Sequence, residues 1–258
     1  TLETFKKCLS TIPLHVGLNF TGYVEPFLAP ETPDMILHAA ERGYSVLLNT
    51  TLVGLKKEDW MRIKDVNYRE LHIHLPSCAF DEMIGVKIPV ETYEHEGRKI
   101  KALSEEYYDM LNFLIQNPGN GWGQYKLDFH CLGDLHPELA DLTNHFYVGV
   151  RQVNSRAMNI LLEKKDKVPP EENIRGNCSR VYQNVLLPDG SLSLCCQDYG
   201  LDEVLGNLVE NTWDEYEASE TVKRIRKEGA DLCDYCEEGL TYTDTASWQQ
   251  WRRPSQLY

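Results

Sequence analysis

Short apolar runs alternate with segments of helical spacing along the first 160 or so positions. "LHVGLNF" (14–20), "YSVLLNT" (44–50), "ELHIHL" (70–75), "YKLDFHCL" (125–132) and "FYVGVRQV" (146–153) have the length and pattern of strands. Between them, "TPDMILHAAERG" (32–43) carries apolar residues at helical spacing, with Pro33 near its start and Gly43 as its stop. A polar helix follows near "KKEDWMRIKD", and "SEEYYDMLNFLIQN" (104–117) is a longer one. Strands joined by helices predict parallel pairing through right-handed crossovers, hence an α/β sheet or barrel. Functional loops in such folds lie at the carboxyl ends of the strands. Those ends carry "TGYVEP", "NTTLVG", "HLPSC", "HCLGD" and "NSRAMN".

The pattern then changes. "LEKKDKVPPEENIRGN" (162–177) is charged, contains Pro169-Pro170 and reads as a linker. It separates a domain over 1–161 from a smaller one over 178–258. In the latter, "VYQNVLL", "DG" and "SLSLCC" predict a β-hairpin, because Asp-Gly favours left-handed turn conformations. "TWDEYEASETVKRIRKEG" (212–229) predicts one helix from Thr212 to Gly229.

Composition narrows the partners. The chain has 258 residues and 29.7 kDa, with 42% hydrophobic positions, enough for one large or two unequal cores. Acidic residues outnumber basic ones 40 to 26, a formal charge of −14. That excess argues against nucleic acid or an anionic membrane as the main partner. No apolar run reaches the roughly 18 residues of a membrane span. "TLETFKKCLSTIP" is neither a signal h-region nor a transit peptide, so a cytoplasmic setting is expected.

Eight cysteines raise the question of disulfides. The chain length, the missing secretory signal and the vicinal Cys195-Cys196 pair fit that poorly, and metal ligation accounts better for the clustered thiols. Cys178, Cys195 or Cys196, Cys233 and Cys236 form a four-thiol set from three segments. The Cys-x-x-Cys turn "LCDYC" offers two sulfurs to one centre and the hairpin end another. Spacing leaves zinc and an iron–sulfur cluster both open. Cys8, Cys78 and Cys131 are scattered and are expected to be small buried hydrophobes. His72 and His74 alternate along one strand and face one side of the sheet. Such a pair binds metal only with a third ligand, and none is evident nearby in sequence.

"GNCSRVYQNVLLPDGSLSLCCQDYGLDEVLGNL" followed by "LCDYC" resembles the C-terminal auxiliary-cluster region of radical S-adenosylmethionine enzymes, the SPASM/twitch type. In that pattern a Gly is followed by four residues and a Cys, which selects Cys195 over Cys196. "LNFTGYVEPFLAPETPDMILHAAERGYSVLLNTTL" resembles the strand-to-strand segment of the radical S-adenosylmethionine barrel whose Gly-x-x-Glu-Pro turn receives the amino group of the cofactor. The resemblance implies a partial (β/α)6 barrel with a twitch-type β-hairpin plus helix domain. It implies one auxiliary 4Fe–4S cluster on Cys178, Cys195, Cys233 and Cys236. Gly22, Glu25, Pro26, Asn49 and Ser77 would then bind the cofactor. "NSRAMN" resembles an "SRAGN" motif with Met158 in place of glycine, which implies that Arg156 lies by the substrate.

The family's Cys-x-x-x-Cys-x-x-Cys is not in these 258 residues. The resemblance begins at "TLETFKKCLSTIP", so a first strand and cluster loop of roughly 20–30 residues are expected before Thr1. In the intact form the resemblance implies S-adenosylmethionine and a second 4Fe–4S cluster, generating a 5′-deoxyadenosyl radical that abstracts hydrogen from substrate. An electron donor such as flavodoxin or ferredoxin goes with that chemistry. The single-cluster tail favours net oxidation of a polar small molecule, with the auxiliary cluster as electron acceptor. A peptide-modifying maturase and a non-catalytic four-cysteine iron–sulfur or zinc protein with a degenerate barrel are the alternatives.

Overall fold

The N-terminal unit, Thr1–Val153, is built from the alternation that the apolar pattern predicts. The computed structural model describes residues 1–77, 92–95, 98–120, 127–151 and 178–236. Helix α1 (Leu2–Leu9) starts at Thr1, whose side-chain oxygen accepts the Thr4 N–H. It leads into strand β1 (Leu18–Phe20). This strand is shorter than expected because Val16 N–H closes a turn on the Pro13 carbonyl and takes that backbone out of pairing. Next come α2 (Thr32–Glu41), β2 (Val46–Thr50), α3 (Lys57–Ile63) and β3 (Tyr68–Leu75). An antiparallel pair, β4 (Thr92–His95) and β5 (Arg98–Lys101), sits in the segment after β3. Helix α4 (Glu105–Gln116), β6 (Leu127–Leu132) and β7 (Val148–Arg151) complete the unit.

The main sheet runs β1-β2-β3-β6-β7, and every pair in it is parallel. Each strand is laid beside its predecessor in that series, without the reversal that marks a doubly wound sheet. Right-handed crossovers in a sheet that only advances keep their helices on one face. Burial agrees: Val46, Leu48 and Thr50 of β2 and Leu71, Ile73 and Leu75 of β3 are buried. The residues between them, Leu47, Asn49, His72 and His74, are only partly covered. Helix α4 buries Tyr107, Met110, Leu111 and Leu114, an apolar stripe at helical spacing. Fully buried Trp60 ties α3 to the end of α4 by donating its indole N–H to the Asn117 carbonyl at 3.0 Å.

The C-terminal unit, Asn154–Tyr258, is described from Cys178. Its three-stranded sheet, ordered β10-β9-β8, consists of β8 (Val185–Leu186), β9 (Ser191–Ser193) and β10 (Val204–Asn207). Both pairings are antiparallel. Gly190, at φ 91°, takes the left-handed turn conformation, and the Asp189 carboxylate accepts the Ser191 N–H at 3.0 Å. The one helix expected over 212–229 is two, α5 (Trp213–Ala218) and α6 (Glu220–Glu228). Ser219 breaks it. Its backbone is extended and its side chain accepts the Val222 N–H at 3.2 Å, a cap that competes with helix continuation. Leu192, Leu194, Leu208, Tyr216, Val222 and Ile225 form the core of this unit. The expected linker 162–177 lies outside the described residues. Among the described residues, no helix is long and apolar enough to cross a membrane.

Candidate functional site

The four predicted cysteine ligands sit in or beside short elements. Cys178 caps the 3-10 turn Ser179–Tyr182, and Cys195 lies just past β9. Cys233 is in the 3-10 turn Asp231–Tyr235, which Cys236 closes by donating its N–H to the Cys233 carbonyl at 3.3 Å. None of the seven described cysteines is in a disulfide. Cys8 and Cys131 are fully buried, as expected of small hydrophobes, and Cys78 lies outside the described residues.

Cys195 is held from both sides. Asn184 donates its amide to the Leu194 carbonyl at 2.7 Å and accepts the Tyr216 hydroxyl at 2.6 Å. Beyond Cys195, fully buried Asp198 donates its N–H to the Cys195 carbonyl at 3.0 Å. Its carboxylate accepts the N–H groups of Asp202 at 2.9 Å and Glu203 at 3.1 Å. Neither Asn184 nor Asp198 stands out in the sequence; their only signal there is a polar residue flanking a cysteine run. Burial pushes the Cys195 thiol up to about 12, and the neighbouring Cys196 and Cys236 act in the same direction. Such a thiol ionises when a metal takes the place of its proton. Cys196 is half-buried, its sulfur 3.6 Å from Arg180 Nη1 and 3.8 Å from Gln197 Nε2.

In the N-terminal unit, the predicted cofactor-binding residues fall at the carboxyl ends of three consecutive parallel strands. Gly22 follows β1 at φ 142°, where a side chain would be strained. Glu25 and Pro26 open the 3-10 turn Pro26–Leu28. The Glu25 carboxylate accepts four hydrogen bonds: Phe27 N–H at 3.1 Å, Thr50 hydroxyl at 2.7 Å, Thr51 N–H at 2.6 Å and Thr51 hydroxyl at 2.7 Å. Those four use the lone pairs of an ionised carboxylate. The charge thus fastens the loop after β1 to the loop after β2. Gly54 keeps the same junction tight, since a Cβ there would meet the Phe27 carbonyl oxygen at 2.7 Å. Asn49 donates to Asn19 at 2.7 Å on the partly open face of the sheet. Ser77, buried just after β3, bridges to Leu135 in the loop after β6. Arg156 lies outside the described residues.

Donors that the sequence does not place beside His72 come from the next strand in space, and the group they form with it is His72, Asp128 and His130, without His74. Parallel register puts His72 beside Asp128 and His74 beside His130. The two strands are more than 50 residues apart in sequence, so only the pairing reveals the group.

Comparisons with known proteins bear on the domain and the fold. Residues 178–238 match the family model of the SPASM iron-sulfur cluster-binding domain. A crystal structure of BtrN in complex with AdoMet and 2-DOIA is similar to 92% of this chain and 78% of its own, at 16% identity and a TM-score of 0.55. A crystal structure of SeMet BtrN in an open conformation aligns over the same shares at 13% identity and a TM-score of 0.46. No curated protein matches the chain. The resemblance to radical S-adenosylmethionine enzymes with a SPASM-type domain rests on the first two findings together, the domain match and the shared fold.

Proposed function

We propose that this chain, a radical S-adenosylmethionine protein with a SPASM iron–sulfur domain, takes hydrogen from a polar small molecule and oxidises it. The observation that carries the reading is the four-cysteine set, drawn from three segments of the SPASM-matched region on a chain of BtrN-like fold. In this reading the parallel sheet is part of a (β/α)6 barrel, and the tail is a twitch-type hairpin plus helix. One 4Fe–4S cluster is held on Cys178, Cys195, Cys233 and Cys236. The burial of Cys195, against the half-buried Cys196, and its place after Gly190 with four residues between support Cys195 as the ligand over Cys196.

When bound, S-adenosylmethionine and a second 4Fe–4S cluster supply the radical chemistry, and the chain's own residues bind, orient and exclude water. Glu25 acts by holding, since its carboxylate is saturated by Phe27, Thr50 and Thr51. The backbone carbonyls of the turn from Gly22 are then the groups available to the cofactor's ammonium. Asn49 and Ser77 would add an amide and a hydroxyl for its other polar groups, and the family resemblance assigns Arg156 to the substrate. Cys178, Cys195, Cys233 and Cys236 would supply four thiolates to the auxiliary cluster, which would leave it no open position for substrate and would let it take up an electron. BtrN's complex with AdoMet and 2-DOIA supports a small molecule over a peptide as substrate. A flavodoxin or ferredoxin in the cytoplasm supplies the electron.

Anaerobic reconstitution with metal analysis tests the ligand set. About four iron per chain are expected, lost in Cys195→Ala and kept in Cys196→Ala. Stoichiometric zinc without iron overturns the cluster. With a Cys-x-x-x-Cys-x-x-Cys segment supplied ahead of Thr1, the reduced protein is expected to release 5′-deoxyadenosine. Iron uptake without that release leaves a four-cysteine binding protein and ends the catalytic claim.

A further inference from the structure

Two neighbouring strands gather donors that the cysteine chemistry does not use. The ligand atoms of His72, Asp128 and His130 all lie within 4.8 Å of one another on the partly open face of the sheet. His130 Nδ1 is 3.6 Å from Asp128 Oδ2, while His130 Nε2 is 2.8 Å from His74 Nε2. His72 Nε2 lies 3.2 Å from Glu70 Oε2.

We propose that His72, Asp128 and His130 form a binding site for a divalent first-row transition cation, made without any of the cysteine ligands. Two imidazoles and one carboxylate are a donor set for such ions, and they leave positions open for oxygen donors, water first. Ligands about 2.0 Å from one ion sit about 3.3 Å apart in a tetrahedral site. The His130–Asp128 separation of 3.6 Å is near that spacing and longer than a hydrogen bond. The His72 ligand atom, within 4.8 Å of both, completes the set. With Nδ1 of His130 toward the cation, its Nε2–H donates to His74, the outer hydrogen bond that orients a ligating histidine. The ring of His130 is 1% exposed, so its direction is already set by packing.

The plain alternative is a polar cluster held only by hydrogen bonds. It accounts for His74–His130, His72–Glu70 and, as an ion pair, His130–Asp128, but it does not require the three ligand atoms to gather within 4.8 Å of one another. A structural cluster and a metal site part company in a zinc titration. The protein is first reconstituted anaerobically, so that the cysteines are occupied, and then dialysed against zinc. About one zinc per chain is expected beyond the cluster iron. Affinity should fall at least tenfold in Asp128→Asn and in His72→Ala, and stay unchanged in His15→Ala, an exposed histidine. Asp128→Asn keeps side-chain size, and its zinc-free Tm should match the wild type, which separates loss of the site from loss of the fold. Should the cysteines take zinc instead of iron, the total becomes about two, of which Asp128→Asn removes one; that result sinks the cluster and keeps this site. A wild type that binds no zinc beyond the cysteine site, or variants that hold it as tightly as wild type, overturns the proposal.

Discussion

The two units of the chain place their polar chemistry on scaffolds of different strength. In the N-terminal unit, the back face of the sheet is filled by fully buried side chains such as Leu48, Trp60, Ile63 and Ile73. Glu25, Asn49, Ser77 and the histidine cluster sit at the edge or on the other face of a structure that apolar burial already sustains. In the C-terminal unit, β8, β9 and β10 have two, three and four residues, and two short helices cover them. A core that small is marginal without a staple. Its predicted cysteine ligands lie in or beside its own short elements, so in the proposed reading metal and fold are one problem there.

That contrast breaks most visibly if the metal is removed. Structural metal binding is coupled folding free energy, on the order of 10 kcal/mol. Chelation, or Cys236→Ala, is expected to open residues 178–236 to limited proteolysis while the N-terminal sheet stays protected. A tail that stays protected without metal would show that its core suffices and remove the contrast. Trp60→Ala should do the reverse. It costs about 3–5 kcal/mol by cavity formation and a lost hydrogen bond, read in denaturant unfolding of the N-terminal unit, with iron content unchanged. Glu25→Gln replaces a saturated carboxylate with an amide that cannot accept all four bonds, at about 2–3 kcal/mol. S-adenosylmethionine binding should weaken with it, while iron again stays constant. Ser219→Ala removes one cap, about 1 kcal/mol, measured as faster hydrogen exchange at the start of α6. Cys196→Ala should have the smallest effect, with iron uptake as in wild type. Iron loss there equal to that in Cys195→Ala would mean that the two sulfurs are not distinguished.

Local signals in the sequence reappear in the structure because their causes are local. Alternation in "YSVLLNT" and "ELHIHL", helical spacing in "SEEYYDMLNFLIQN", the Asp-Gly turn and the Cys-x-x-Cys spacing depend on a few residues each, and all four reappear as elements or turns. The single helix expected over 212–229 is two for the same reason in reverse. Its apolar spacing continues through Ser219, and only the side-chain cap on Val222 decides that the backbone leaves the helix there.

What the sequence determined by itself is therefore the kind of chain: parallel α/β segments followed by a cysteine-bearing hairpin, with donors of known type at strand ends. What the tertiary structure decided is which donors meet. Glu25 is occupied by Thr50 and Thr51, and His130 stands against His74, 56 residues away. Periodicity says which face of a strand a side chain takes. Register between strands far apart in sequence is set by the packing of the whole sheet, and no short stretch encodes it.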